Sequence, residues 1–318
     1  MKIAFFDQGS HNTSLYTNLK ENGYDVVEIK YNSLNSLNSI KVDFVYPVFA
    51  DSHLSWITQY NINNNLVGIK QKTADLIKTK DLYYKIFNEL NIPCPKVYGV
   101  IKCDKNLLYN IPKDIIYPCI VKPFDGSGGC DVYIASDHTD LILFLSKTFL
   151  FQAKYYNKSV IFQEYVKGSV VSSIVGRVFN NEIKVDMFYD IETNSFPYPI
   201  ETASVYPSKH NDKLTDILND LKKFIKYIEL DNYPFMLEVI VADDDIYFID
   251  FAARVSGTAQ ILIWHGGEKN YGIKLLNSIV YQQDFEMDPI KPISIRIKPT
   301  DEILKRDSDM FRIGYDII

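Results

Sequence analysis

The stretch Phe235-Met236-Leu237-Glu238-Val239-Ile240-Val241, followed by Ala242-Asp243-Asp244-Asp245 and then Ile246-Tyr247-Phe248-Ile249-Asp250-Phe251, decides how the chain is read. Two apolar runs rich in β-branched and aromatic residues flank a turn-forming cluster, the pattern of an antiparallel strand pair. With the three aspartates as the loop, Glu238 falls directly opposite Asp250, and paired residues project from one face of a sheet. Carboxylates opposed in this way repel. A cation between them resolves the conflict, and Mg²⁺ takes one or two carboxylates while phosphate oxygens and water complete its shell. The alternative is that one carboxylate turns to solvent or meets a lysine. The aspartate run itself reads as a solvated turn. Downstream, Phe251-Ala252-Ala253-Arg254-Val255-Ser256-Gly257-Thr258 places a guanidinium near the carboxylates. Arg254 is either a bidentate ligand for a phosphoryl or carboxylate oxygen or a surface ion-pair residue.

Towards the N-terminus, residues 116–123 read as a strand carrying Lys122 near its end, and Phe124-Asp125-Gly126-Ser127-Gly128-Gly129-Cys130 leads into a second strand over 131–135. Such a loop is either a turn that needs positive φ or a cradle whose backbone N–H groups meet anionic oxygens beside a lysine. It lacks the P-loop order and leads to a strand, which argues against P-loop and dinucleotide uses. Upstream, Leu76, Leu82, Tyr83, Ile86, Phe87 and Leu90 predict one amphipathic helix, ended by Asn91-Ile92-Pro93-Cys94-Pro95. Strands over 3–6, 25–29 and 42–49 with a helix over 13–21 form a small α/β unit; 31–39 and 60–65 read as surface loops. Further strands are expected over 159–166, ending in Gln163-Glu164-Tyr165-Val166, and over 170–179 and 182–189 around Asn180-Asn181. A helix over 214–230 comes next.

The chain has 318 residues, 47% of them hydrophobic, with 34 Lys and Arg against 40 Asp and Glu for a net charge of −6. Disordered and fibrous classes are excluded, and without a basic run no nucleic-acid partner is expected. No stretch approaches the ~20 apolar residues of a membrane span, and an acid at position 7 interrupts the N-terminal apolar run. No membrane association and a cytoplasmic location are the expectations. Cys94, Cys103, Cys119 and Cys130 show no metal-type spacing and read as reduced structural thiols.

Lys80 on a helix, a strand ending at Lys122, the loop 126–129, Gln163-Glu164-Tyr165-Val166 before Gly168, and the Glu238/Asp250 hairpin followed by Arg254 together resemble the ATP-grasp superfamily. Ile249-Asp250-Phe251-Ala252-Ala253-Arg254-Val255-Ser256-Gly257 is similar to its carboxylate-amine ligase branch, near carbamoyl-phosphate synthase and amino-acid ligases. The resemblance implies an α/β (α+β) chain with the ATP-grasp fold and a small N-terminal Rossmann-like unit, divided at 1–74, 75–166 and 167–318. It implies that Lys80 and Lys122 contact ATP phosphates, that Ser127, Gly128 and Gly129 close over them, and that Gln163, Glu164, Tyr165 and Val166 meet the adenine. Glu238 and Asp250 would hold one or two Mg²⁺ ions, and Arg254, with Lys122, would serve the transfer step. The implied reaction joins a small carboxylic or amino acid to an amine through an acyl phosphate, releasing ADP and phosphate.

Two positions depart from the family pattern. Val170 stands where a ribose-binding glutamate is usual, and Asp250-Phe251-Ala252 replaces Glu-x-Asn, removing one amide ligand and one methylene. A kinase, an acid–thiol ligase, or an ATP-binding regulator of low turnover therefore remain as alternatives. An acceptor pocket between the N-terminal unit and the hairpin is expected to draw on His11, Asn12, Asp51, His53, Arg177, Glu201 and Arg254, with Arg177 for a carboxylate and Glu201 for an amine. The expected partners are these small molecules, with a homodimer as a further possibility.

Overall fold

A computed structural model describes residues 1–7, 13–30, 34–124, 129, 131–150, 158–168, 170–194, 197–242, 245–297 and 315–318. The N-terminal unit alternates β1 (Lys2–Asp7), α1 (Thr13–Glu21), β2 (Asp25–Lys30) and β3 (Phe44–Val45). Its strands pair in parallel in the order β2-β1-β3. β1 is buried from Ile3 to Phe6, as expected of a parallel strand covered on both faces. The strand expected over 42–49 shrinks to two residues; the Tyr46 amide still donates to the Ala4 carbonyl at 2.9 Å, and Pro47, with no N–H to give, ends the ladder. Two segments read as loops are helical instead. A 3-10 helix over Leu34–Ser39 buries Leu37, and residues 60–63 close α2 (Leu54–Asn63), whose Ile57 and Tyr60 enter the core. Their high Asn content masked the sparse apolar positions that pack.

The single helix expected across Leu76 to Leu90 is two, α3 (Gln71–Ile77) and α4 (Lys80–Glu89). Thr79 is extended between them, at φ −143° and ψ 150°, and its hydroxyl donates to Asp81 at 2.8 Å. The break places Lys80 at the first position of α4. A second, antiparallel sheet is built from β4 (Val97–Lys102), β5 (Cys119–Pro123), β6 (Tyr133–Ala135) and β7 (Ser159–Glu164) in the order β4-β7-β5-β6, with α5 (His138–Leu145) packed on it.

The third sheet comprises β8 (Val171–Phe179), β9 (Glu182–Thr193), β10 (Glu201–Tyr206), β11 (Tyr233–Ala242) and β12 (Asp245–Ala252), extended by β13 (Ile293–Ile297) and β14 (Tyr315–Ile317). Its order is β12-β11-β8-β9-β10-β13-β14. Asn180 and Asn181 both take positive φ, 50° and 64°, which makes the tight β8–β9 turn. Between β10 and β11, α6 (Leu214–Ile228) buries Ile217, Leu221, Phe224, Ile225 and Ile228 at helical spacing. After β12 come α7 (Gly257–Gly266) and α8 (Tyr271–Tyr281). One continuous core joins the N-terminal unit to the large sheet, while the four-stranded sheet has its own smaller core around Leu141, Phe144 and Phe162. None of the helices among the described residues is long and apolar enough to cross a membrane.

Candidate active site

The site starts from the spacing on α4. Lys80, Tyr83, Tyr84 and Phe87 stand at i, i+3, i+4 and i+7 and therefore share one face. Phe87 anchors that face, packing on Phe224 of α6 at 4.8 Å and Phe248 of β12 at 5.5 Å between ring centroids. One turn earlier, the polar ends of the same face meet the end of β12. Lys80 Nζ lies 2.7 Å from each carboxylate oxygen of Asp250. The Tyr83 hydroxyl donates to Asp250 Oδ1, which also accepts the Phe251 amide at 3.0 Å. The Tyr84 hydroxyl donates to the Ile249 carbonyl and accepts from Lys122 Nζ at 3.2 Å. Lys122 is carried by β5 of the four-stranded sheet, so Tyr84 ties that sheet to the large one.

Lys122 is buried, and its neighbour Lys80 has already taken the nearest carboxylate. Burial first, and the like charge of Lys80 second, lower the Lys122 ammonium to about 7. Burial also acts on Asp250, but the Lys80 and Lys122 charges outweigh it and hold that carboxyl below its ordinary value. Glu238 responds in the opposite sense. Burial and the facing Asp250 raise it, and among the described residues it has neither a hydrogen-bond nor an ion-pair partner.

Glu238 does pair with Asp250 across β11 and β12, but by a different route from the three-aspartate loop. Ala242 pairs with Asp245, and the register shifts between Glu238 and Val239, which leaves Ile249 as the extra residue of a bulge. The bulge turns the Ile249 carbonyl to Tyr84. On the other side Glu238 pairs with Ser173 of β8, and Ser173 with Tyr189 of β9, so a polar row crosses one face of the sheet. Two opposed carboxylates suit a hard divalent cation bound jointly with phosphate oxygens. The unpartnered Glu238 fits that role better than Asp250, whose oxygens are occupied.

Arg254, immediately beyond β12, points across to the N-terminal unit. Its Nε and Nη2 donate to the two carboxylate oxygens of Asp51 at 2.7 and 3.0 Å. Burial opposes the guanidinium charge, but Asp51 overcomes this and raises its affinity for the proton. The adjoining backbone is clamped as well, since the Val255 amide donates to the Pro47 carbonyl at 2.9 Å. Ser256 then caps α7 by accepting the Ala259 amide at 3.3 Å, and its hydroxyl lies 3.0 Å from that of Tyr189. His53 sits two residues from Asp51, buried beside Phe6, and burial lowers its ring below the ordinary histidine value.

The expected site residues are thus only partly brought together. Lys80, Lys122, Glu238, Asp250 and Arg254 lie around the hairpin, with His53 beside Asp51. Gln163 is buried on β7, and the Glu164 carboxylate accepts the Lys96 amide at 3.0 Å. The chain leaves the ladder after Glu164, so Tyr165 and Val166 lie on the connection from β7 of the four-stranded sheet to β8 of the large one. Gly168 closes this connection because a Cβ there would stand 2.0 Å from the Ile240 side chain. Gly129 takes φ +72°, while Ser127, Gly128 and His11 lie outside the described residues. The Glu201 carboxylate accepts from Ser204 at 2.7 Å and from Thr258, in the first turn of α7, at 3.3 Å.

Arg177 requires correction as a carboxylate-binding residue. It pairs with Pro234, four positions along β8 from Ser173, or ~13 Å at strand rise. Its guanidinium is spent on Asp186, on Asp284 at 2.9 Å and on the Phe285 carbonyl, with 3% of the side chain exposed. Conversely, sequence reasoning gave Tyr83 only a place in the helical periodicity and did not single out Tyr84. Tyrosine rather than leucine at both of these positions on the Lys80 face was the available signal, since a buried hydroxyl needs a partner.

Paired lysines, opposed carboxylates and an arginine, brought together where Tyr84 links two sheets of an α/β chain, form the class of site that can hold a phosphate. Known proteins agree with this class: residues 77–258 match the ATP-grasp domain model, and the chain belongs to the ATP-grasp family. It is similar to the carbamoyl phosphate synthase large chain of Clostridium acetobutylicum, 23% identical over 222 residues, covering 64% of this chain and 19% of that one. The chain thus spans about a fifth of that relative's length. Among solved structures, an L-amino acid ligase from Bacillus licheniformis superposes with a TM-score of 0.76 at 15% identity, over 94% of this chain and 80% of that one. An N5-carboxyaminoimidazole ribonucleotide synthetase in complex with ADP gives 0.73 at 14% identity, covering 93% of this chain and 81% of that one. These likenesses establish the fold.

Proposed function

We propose that the chain is an ATP-dependent carboxylate-amine ligase that joins a small carboxylic or amino acid to an amine. The observation that carries this reading is the convergence of Lys80, Lys122, Glu238, Asp250 and Arg254 from separate elements, in a family that takes its name from ATP. On this reading the four-stranded sheet is a lid, and the nucleotide lies between it and the large sheet with its base near 163–166. Lys80 and Lys122 receive the polyphosphate. Mg²⁺, when bound, would neutralise phosphate charge from Glu238, whose carboxylate has no other partner among the described residues.

The chemistry asks for position and charge rather than a nucleophilic side chain. An acceptor carboxylate oxygen bonds to the γ-phosphorus as the bond to the ADP oxygen breaks. The amine then attacks the acyl carbon, phosphate leaves, and the amine loses a proton. Arg254, held by Asp51 through Nε and Nη2 and by the Val255 carbonyl through Nη1 at 3.3 Å, presents its two remaining N–H groups to the transferred phosphoryl oxygens. The row from Ser173 through Tyr189 to Ser256, with Glu201 and Thr258 alongside, offers polar contacts for the acceptor.

The test is thermal unfolding with and without Mg-ATP, paired with an ADP-release screen over pooled carboxylic acids and amines. A nucleotide-dependent rise in Tm, with release only where both an acid and an amine are present, supports the ligase. Release with an acid and a thiol, or a stable phosphorylated product, replaces it with the corresponding activity. A rise in Tm without release in any pool favours a nucleotide-binding regulator.

A further inference from the structure

The two opposed carboxylates of the hairpin differ in how this chain uses them, and the roles assigned to them here rest on the proposed nucleotide site. Asp250 is saturated from within. Lys80 Nζ stands 2.7 Å from each of its oxygens, while the Tyr83 hydroxyl and the Phe251 amide share Oδ1. Lys80 is itself buried, with its ammonium also donating to the Tyr83 hydroxyl at 3.3 Å, so the three groups satisfy one another. Glu238 has no such partner among the described residues. Two residues beyond Asp250 on the same face of β12, Ala252 is buried and offers no side-chain oxygen. No group of three or more His, Cys, Asp or Glu side chains among the described residues is placed to hold a metal.

We propose that this chain holds a single divalent ion, on Glu238 and the phosphate oxygens of the nucleotide, and that the Lys80 ammonium chelated by Asp250 takes the place of a second cation. Asp250 is then a positioning residue for Lys80 and not a metal ligand. A divalent ion on Asp250 must displace a buried ammonium and a buried hydroxyl, leaving both polar groups without their acceptor and the lysine beside a like charge. A metal on Glu238 displaces no hydrogen-bond or ion-pair partner among the described residues. Nucleotide affinity accordingly divides into a part set by Lys80 and Asp250, present without metal, and a part set by Glu238, present only with it.

The experiment uses the full chain, ADP and Mn²⁺. Equilibrium dialysis at saturating ADP counts bound Mn²⁺, and calorimetry gives ADP affinity with and without the metal. Expected are one Mn²⁺ per wild-type chain and retention of that ion in Asp250→Asn. ADP should bind ~10-fold or more weakly to Asp250→Asn and Lys80→Met whether or not Mn²⁺ is present, the scale of one lost charge-assisted contact. Glu238→Gln should keep the metal-free ADP affinity but lose its tightening by Mn²⁺. Two Mn²⁺ per wild-type chain overturn the proposal even if no variant folds. So does an Asp250→Asn protein that loses bound Mn²⁺ with its metal-free ADP affinity intact. Wild-type chain that binds no ADP under either condition instead overturns the nucleotide reading, and this inference with it.

Discussion

Replacing Lys122 by methionine should make the ligand-free protein more stable while removing its response to nucleotide. The side chain keeps its unbranched shape and most of its contacts, so the change isolates the charge. In the folded chain Lys122 is buried, its polar contact is the Tyr84 hydroxyl at 3.2 Å, and its ammonium is lowered from 10.5 to about 7. At ~1.4 kcal/mol per factor of ten in proton affinity, that difference amounts to a penalty on the order of 4 kcal/mol at neutral pH. With relaxation around the charge, roughly 2–4 kcal/mol should be recovered in Lys122→Met. The pH dependence is set by the direction of the shift. Because the folded value lies below the unfolded one, the unfolded chain binds more protons between about 7 and 10.5, and the wild type gains stability as pH rises through that window. The advantage of the variant should therefore be constant below pH 7 and shrink above it. Urea unfolding of both proteins at pH 6, 7, 8.5 and 10, with and without Mg-ATP, measures each part. A variant less stable than the wild type at pH 7, or a difference that does not shrink by pH 10, refutes the claim that Lys122 is a stored, uncompensated charge.

Tyr84→Phe removes the hydroxyl that joins Lys122 to the Ile249 carbonyl. It should cost about 1–3 kcal/mol in urea unfolding and weaken ATP binding more than it slows turnover, which calorimetry and steady-state rates separate. Arg254→Ala should depress turnover far more than nucleotide affinity, and Asp51→Asn should reproduce part of that loss with the arginine still present; a pure affinity effect in either protein contradicts the transfer role. Arg177→Met leaves Asp186 buried without its cation and should cost about 3–5 kcal/mol of stability. The Tm rise on Mg-ATP binding should be unchanged in the folded fraction, whereas a substrate-binding arginine would give the reverse pattern.

Most of the fold was legible because its strands and long helices carry strong periodic signals. β11 and β12, the Asn180-Asn181 turn and the apolar face of α6 all lie where alternation and helical spacing place them. The failures share a physical cause. Leu37 and α2 were hidden because a short helix that rests on a neighbouring core needs only two or three apolar residues to hold it. The break at Thr79 depends on an extended residue and one side-chain hydrogen bond, neither of which disturbs the periodicity on which the single helix was based. In the site, the Glu238–Asp250 pairing was readable but the bulge at Ile249 was not, since it is fixed by what Ile249 offers to Tyr84 on another element. Arg177 misled because a charge inside a strand looks alike in sequence whether its partner is a ligand or Asp186 on the next strand.

The charges of the site come in pairs, and one pair is left open. Lys80 neutralises Asp250, and Arg254 neutralises Asp51, each by direct contact within the folded chain. Lys122, buried, and Glu238, only partly exposed, remain, opposite in sign and without a direct counter-charge among the described residues. Bringing those two together would cancel them, yet they are held on different sheets with Tyr84 bonded to the lysine. In the proposed reading, a polyphosphate supplies what Lys122 lacks, and a divalent cation supplies what Glu238 lacks. Phosphate alone would leave Glu238 uncompensated beside added negative charge, and metal alone would leave Lys122 uncompensated beside added positive charge. Each arrival therefore lowers the cost of the other, so nucleotide and metal should bind with positive coupling of ~1–3 kcal/mol, the usual scale for linked sites. That coupling should vanish in Glu238→Gln while Lys80 and Asp250 continue to hold each other, because the Lys80–Asp250 pair adds to nucleotide affinity to the same extent with and without the metal.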